Sequence, residues 1–162
     1  MGHFPLQPTS YYYFGKTEIR AFGKPINWAI GNDEDWQNVN SFISVANLAQ
    51  ELGIKKILAP RPNLFNGLIC QETDLATEFS IYGVKIKTGF FADGVELNPG
   101  QTFCLHSADC PTVVVYNQKT GKTIAAHAGR DSLFDRQAIV EGRQHRHHGV
   151  VNAIMRRMDE DP

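Results

Sequence analysis

Cys110 and His127 are the residues whose types and placing suggest chemistry. They stand just outside a stretch that reads as a β-hairpin. Val113-Val114-Val115-Tyr116 is β-branched, Asn117 to Lys122 is a polar loop with a glycine, and Thr123-Ile124-Ala125-Ala126 resumes the apolar pattern. Folding Val113 to Ile124 back on itself puts Cys110 and His127 at or within about two residues of directly opposite. Cross-strand neighbours lie ~4.5–5.5 Å apart at Cβ, close enough for a thiol and an imidazole to share a proton. Such an imidazole turns the thiol into a thiolate nucleophile. The same pair can instead supply two ligands to zinc or copper. Asp109-Cys110-Pro111 and His127-Ala128-Gly129 each set their residue where a strand meets a turn, a position open to ligands. The bland alternative makes Cys110 a buried small hydrophobe and His127 a hydrogen-bonded strand residue.

The other candidates are weaker. His106 shares the approach to Cys110 and lies on the same strand face if that strand stays regular; Cys104 has the same parity and reads as core. Cys70, beside Gln71, Glu72 and Asp74, reads as a buried thiol next to a polar turn. His145-Arg146-His147-His148 lies between Gly142 and Gly149 without a carboxylate or thiol at ligand spacing, and reads as a solvated loop. Thr120-Gly121-Lys122-Thr123 mimics the end of a phosphate loop, but its context is a hairpin rather than strand to helix.

The elements that must hold the pair follow from the pattern along the chain. Tyr11-Tyr12-Tyr13-Phe14 and Ile19-Arg20-Ala21-Phe22 predict an early strand or hairpin, with the aromatic run in core or dimer packing. Asn32-Asp33-Glu34-Asp35 offers a cap and an acidic first turn; Trp36, Val39, Ile43, Ala46, Ala49 and Leu52 follow at helical spacing, and Gly53 supplies the stop. Strands are expected over Ile54 to Ala59, Gly67 to Gln71, Ile81 to Phe91 and Gln101 to His106, with turns at Asp93-Gly94 and Asn98-Pro99-Gly100. Ser132 with Asp135 predicts a helix start, running to about Glu141. Val150, Val151, Ile154 and Met158 form one face of a closing helix after Gly149.

The chain has 162 residues, 42% of them hydrophobic, and a formal charge of −1 from 16 Lys+Arg and 17 Asp+Glu. That length buries a core without a disulfide or metal staple, and the absence of repeats or linkers predicts a single domain over residues 1–162. Near-neutral charge without a Lys/Arg run gives no footprint for nucleic acid or an anionic membrane surface. The three cysteines, none in a CxxC, argue against a secreted disulfide scaffold, and the N-terminus has neither a basic nor an apolar signal region. A cytoplasmic protein is expected.

The segment from Pro99-Gly100 through Ser107-Ala108-Asp109-Cys110-Pro111 to His127-Ala128-Gly129 resembles the PG…TADC.P…HAG core of the YfiH type, the laccase-domain or multicopper polyphenol oxidase family. Ile26-Asn27-Trp28-Ala29-Ile30-Gly31-Asn32-Asp33 is similar to that family's LNLG…GD stretch, and Ala92-Asp93 to the AD before its core. In that family a His from an upstream VHG, the Cys of ADC and the His of HAG bind a metal, usually zinc. Its assigned activities are purine nucleoside phosphorolysis, adenosine deamination and copper-dependent phenol oxidation. The resemblance therefore implies Cys110 and His127 as second and third ligands. No His lies between Gly53 and Ala92 to match the first, so a replacement would have to come from elsewhere, His106 or Cys70. Where the family reads HAGWRG this chain reads His127-Ala128-Gly129-Arg130-Asp131-Ser132, so Arg130 stands in for the family arginine and the chain is a short, divergent member.

The missing ligand favours a thiol reading. The glutamine deamidases of chemotaxis and of Rho-modifying toxins, remote relatives of similar fold, use a Cys and a His across a hairpin. Here Cys110 would be the nucleophile, His127 the base and then the acid, Asp109 an electrostatic neighbour, and the backbone around Ser107 an oxyanion donor. The expectation is an α+β fold, a mixed sheet with flanking helices, carrying a Cys110/His127 site for a purine nucleoside or related amide or amidine, with zinc or copper as the cofactor the resemblance implies. The competitors are a metal-free amidohydrolase or protein-glutamine deamidase and a non-catalytic ligand- or partner-binding protein. A small molecule is the expected partner, with a protein substrate or a homo-oligomer compatible.

Overall fold

The computed structural model describes residues 10–14, 17–21, 42–61, 67–105, 110–129, 132–133, 136–140, 143–147 and 149–159. They show an α+β fold of mixed sheets and two helices. The chain divides into two compact units, one of Met1–Lys55 with Ile81–Val84, the other of Lys56–Ser80 with Lys85–Pro162.

In the first unit, β1 (Ser10–Phe14) pairs antiparallel with β2 (Thr17–Ala21), as the aromatic and β-branched pattern predicts. Helix α1 (Ile43–Glu51) buries Ala46 and Ala49. It stops where glycine should stop it. Gly53 adopts φ 71°, and the N–H groups of Gly53 and Ile54 donate to the carbonyls of Gln50 and Ala49 at 3.1 and 2.8 Å, satisfying carbonyls that the last turn leaves open. Asn32-Asp33-Glu34-Asp35, Trp36 and Val39 lie outside the described residues.

The second unit holds the sheets that position the candidate site. β3 (Lys56–Leu58) lies parallel to β6 (Val84–Thr88), which neighbours β5 (Thr77–Ile81). A four-stranded sheet has the order β4-β7-β9-β8, from β4 (Ile69–Cys70), β7 (Gly94–Leu97), β8 (Thr112–Tyr116) and β9 (Thr123–His127). β4 runs parallel to β7, whereas β9 runs antiparallel to both β7 and β8.

Alternation along β9 decides which face the site occupies. Ile124, Ala126 and Ala128 pack with Val150, Ile154 and Met158 of α2 (Val150–Asp159), while Ala125 packs on the opposite face with Val95, Leu58 and Cys70. His127 shares the parity of Ala125, so it stands on the face away from α2. α2 sits close because Gly67 has no side chain: a Cβ there would strike the backbone of Val150 and Gly149. The loop between β8 and β9 holds the other end of α2, with Lys122 Nζ donating to the Arg157 carbonyl at 2.9 Å and Asn117 Nδ2 to that of Met158 at 3.3 Å.

Six local expectations need correction. Ile81 to Phe91 is not one strand: Tyr82 and Gly83, at φ 50° and 77°, join β5 to β6 with the paired positive angles that a tight two-residue hairpin turn requires. Asp93-Gly94 is not a turn but the entry to β7, because Leu68 offers its carbonyl to both N–H groups, at 2.9 and 3.1 Å. Of Gln101 to His106, the described part pairs through one parallel bridge, Leu58 with Phe103, rather than as a strand. The helix expected from Ser132 is replaced by β10 (Arg136–Val140), paired over five rungs with β11 (Arg143–His147). Ile139-Val140 favours extended backbone, and pairing with β11 supplies hydrogen bonds that an isolated short helix lacks. The same pairing puts His145, Arg146 and His147 in a strand instead of a loop. On α2, Val151 is exposed and only Val150, Ile154 and Met158 are buried.

Candidate functional site

At one end of the four-stranded sheet β8 starts, β9 ends and β7 starts. Thr112 pairs with His127 on one side, and on the other the His127 N–H donates to the Asp93 carbonyl at 2.7 Å. The ladder runs one step further, where the Ala128 N–H donates to the Pro111 carbonyl at 2.9 Å. The hairpin thus ends with Cys110 next to Pro111, within about two residues of the rung that His127 shares with Thr112, as their positions in the sequence predict.

The imidazole leans along β9 over Gly129: a Cβ built there would meet His127 Cε1 at 2.8 Å and Nδ1 at 3.4 Å. Gly129 is required there because any side chain would displace the ring. A turn fixes Gly129: its carbonyl accepts the N–H groups of Ser132 and Leu133, each at 3.0 Å, and the buried Ser132 hydroxyl at 3.1 Å.

His127 is buried at 6% exposure, and its Nδ1 has no hydrogen-bond partner among the described residues. Burial holds the imidazole below its ordinary value, so the ring is neutral at neutral pH and ready to accept a proton. None of the three cysteines is in a disulfide, and they differ sharply in surroundings. Desolvation, reinforced by Asp74, pushes the Cys70 thiol up to about 12, and desolvation alone does the same for Cys104. Both stay protonated and inert. Cys110 is only half-buried.

His106, Ser107, Asp109 and Arg130 lie outside the described residues. Among the described residues no three His, Cys, Asp or Glu side chains come together as a metal site. Cys70 sits beside a 3-10 turn whose Glu72 is held by Lys56 and Lys87, which gives that cluster a structural role.

Three residues at this end escaped the sequence pattern. Asp93, read as a turn residue, is fully buried beside His127, and the signal was an acidic residue set between Phe90-Phe91-Ala92 and the strand Gly94–Leu97. Arg61 and Phe91 form a parallel bridge, and the guanidinium carbon lies 5.7 Å from the centroid of the ring. Among the described residues no helix is long and apolar enough to cross a membrane. Compared with known proteins, the chain matches no family model, no curated protein and no solved structure.

Proposed function

We propose that this chain is a small YfiH-like enzyme whose Cys110/His127 site acts on a purine nucleoside or a related amide or amidine, releasing an amine by hydrolysis. The observation that carries the reading is the buried, neutral imidazole of His127, its Nδ1 without a partner among the described residues, leaning over Gly129 at the end of the hairpin where the chain also leads to Cys110.

The Cys110 thiol gives its proton to the imidazole as its sulfur attacks the amidine or amide carbon and forms a C–S bond. The imidazolium then protonates the leaving amine as the C–N bond breaks. Water, deprotonated by the restored imidazole, attacks the same carbon; the C–S bond breaks and the thiol regains its proton. The resemblance to the YfiH type adds the substrate class and zinc or copper as cofactor. Among the described residues no three such donors come together, and no step runs through a metal.

The test is ammonia release from adenosine and from a glutamine peptide, and free base release from inosine with phosphate, alongside zinc and copper content. Ammonia from the nucleoside, lost in Cys110→Ser and His127→Asn, supports the reading. Release only from the peptide moves the enzyme to the protein deamidases. Stoichiometric metal with full activity in Cys110→Ser, or no turnover of any substrate, overturns it.

A further inference from the structure

Arg61 and Phe91 stand beside the entry to β7. The Arg61 carbonyl accepts the Ala92 N–H at 2.8 Å, and Asp93, next in the chain, gives its carbonyl to His127. The pair is therefore at the same sheet end as the Cys110/His127 site. The Phe91 ring is 53% exposed, an unusual position for a phenyl group next to buried Ala92 and Asp93. The Arg61 guanidinium lies over that ring, and its Nε is buried without a hydrogen-bond partner among the described residues. Arginines elsewhere behave differently: Arg157 donates to Glu96 at 2.8 Å. A buried guanidinium N–H left unsatisfied is costly, and an oxyanion is the acceptor that satisfies it best. A phenyl ring beside it offers a flat apolar face on which a heteroaromatic base stacks.

We infer that Arg61 and Phe91 form a substrate subsite for an oxyanion attached to a flat ring, which makes the substrate an anionic nucleoside, such as a 5′-monophosphate, rather than a neutral one. The subsite rests on the proposed function for its place beside the reacting carbon, but its binding can be measured without turnover. Arg61 is a binding residue that holds the anion, and Phe91 carries the base or sugar against it.

The experiment is equilibrium binding of AMP, adenosine 5′-carboxylate and adenosine to the full chain, in wild type, Cys110→Ser, Arg61→Lys, Arg61→Met and Phe91→Leu. Wild type and Cys110→Ser are expected to bind AMP roughly ten- to hundredfold more tightly than adenosine. Arg61→Met removes that preference, Arg61→Lys retains part of it because a charge remains, and Phe91→Leu weakens AMP and adenosine alike. The carboxylate identifies the anion: affinity equal to AMP means any oxyanion, weaker binding means phosphate. Equal affinity for AMP and adenosine in the wild type, no binding of AMP, or a preference unchanged in folded Arg61→Met overturns the subsite. AMP binding intact in Cys110→Ser, with no wild-type turnover, instead sinks the catalytic reading alone.

Discussion

Strand β7 carries Glu96 towards one end and follows Asp93 at the other, and the surroundings of the two ends differ. Glu96 accepts from Arg157 at 2.8 Å and from Gln71 Nε2 at 3.3 Å. Beyond it, Glu72 accepts from Gln101 Nε2 at 2.6 Å and pairs with Lys56 and with Lys87, the latter at 3.4 Å. That end is a network of paired, part-exposed charges tying β3, β6, β7 and α2 together. At the other end, Asp93 is fully buried beside a buried imidazole whose Nδ1 has no hydrogen-bond partner among the described residues, and Arg61, whose Nε likewise has none there, accepts the Ala92 N–H through its carbonyl. Polar groups left unsatisfied in a core cost stability, and they persist where a ligand or reaction uses them. One end of the sheet therefore holds the fold, and the other carries the site we propose.

The difference can be broken at either end. Cys110→Ser should lower turnover at least ~10³-fold and leave the denaturation midpoint unchanged, since a half-buried thiol contributes little packing. Gly129→Ala should come next, because its Cβ meets His127 Cε1 at 2.8 Å and pushes the ring aside. An activity loss of about tenfold or more is expected at a stability cost near ~1 kcal/mol, measured by turnover and urea unfolding on the same sample. Arg157→Met reverses the pattern: about 1 kcal/mol of stability is lost, because the pair is only part-buried, and turnover holds.

Acid separates the ends by window. Burial lowers the His127 value in the folded state, so the unfolded chain binds the extra proton first. The contribution of His127 is complete above the ordinary value of 6.5 and declines as pH falls below it. The Lys56 hydrogen bond holds the Glu72 carboxyl below its ordinary 4.5, so its contribution survives that decline and is lost only as pH falls through the lower folded value. The urea midpoint against pH should show both declines, with His127→Asn removing the upper one and Glu72→Gln the lower.

Much of this was legible in the sequence because it depends on short-range patterns. The β-branched run from Val113 and the apolar run to Ala126, with a polar loop between, specify the β8–β9 hairpin and hence the end of the sheet at which both Cys110 and His127 lie. Gly53 as the stop of α1, and Val150, Ile154 and Met158 as the buried stripe of α2, follow from helical periodicity. What escaped depends on partners distant in sequence. Gly94 reads as a turn until the Leu68 carbonyl draws it into β7, and Ser132 reads as a cap until β11 captures the residues after it. Arg61 looks like a loop cation until the bridge to Phe91 sets it beside the site. His127 was legible as a residue, but the empty space above Gly129 that lets its ring lean was not.

The most direct measurement is the rate of iodoacetamide labelling of each cysteine at pH 7, read by mass spectrometry in wild type and His127→Asn. Cooperation between imidazole and thiol predicts labelling confined to Cys110, with Cys70 and Cys104 protected as thiols pushed up to about 12, and a rate at least tenfold lower in His127→Asn. A Cys110 rate unchanged by that substitution would contradict the account.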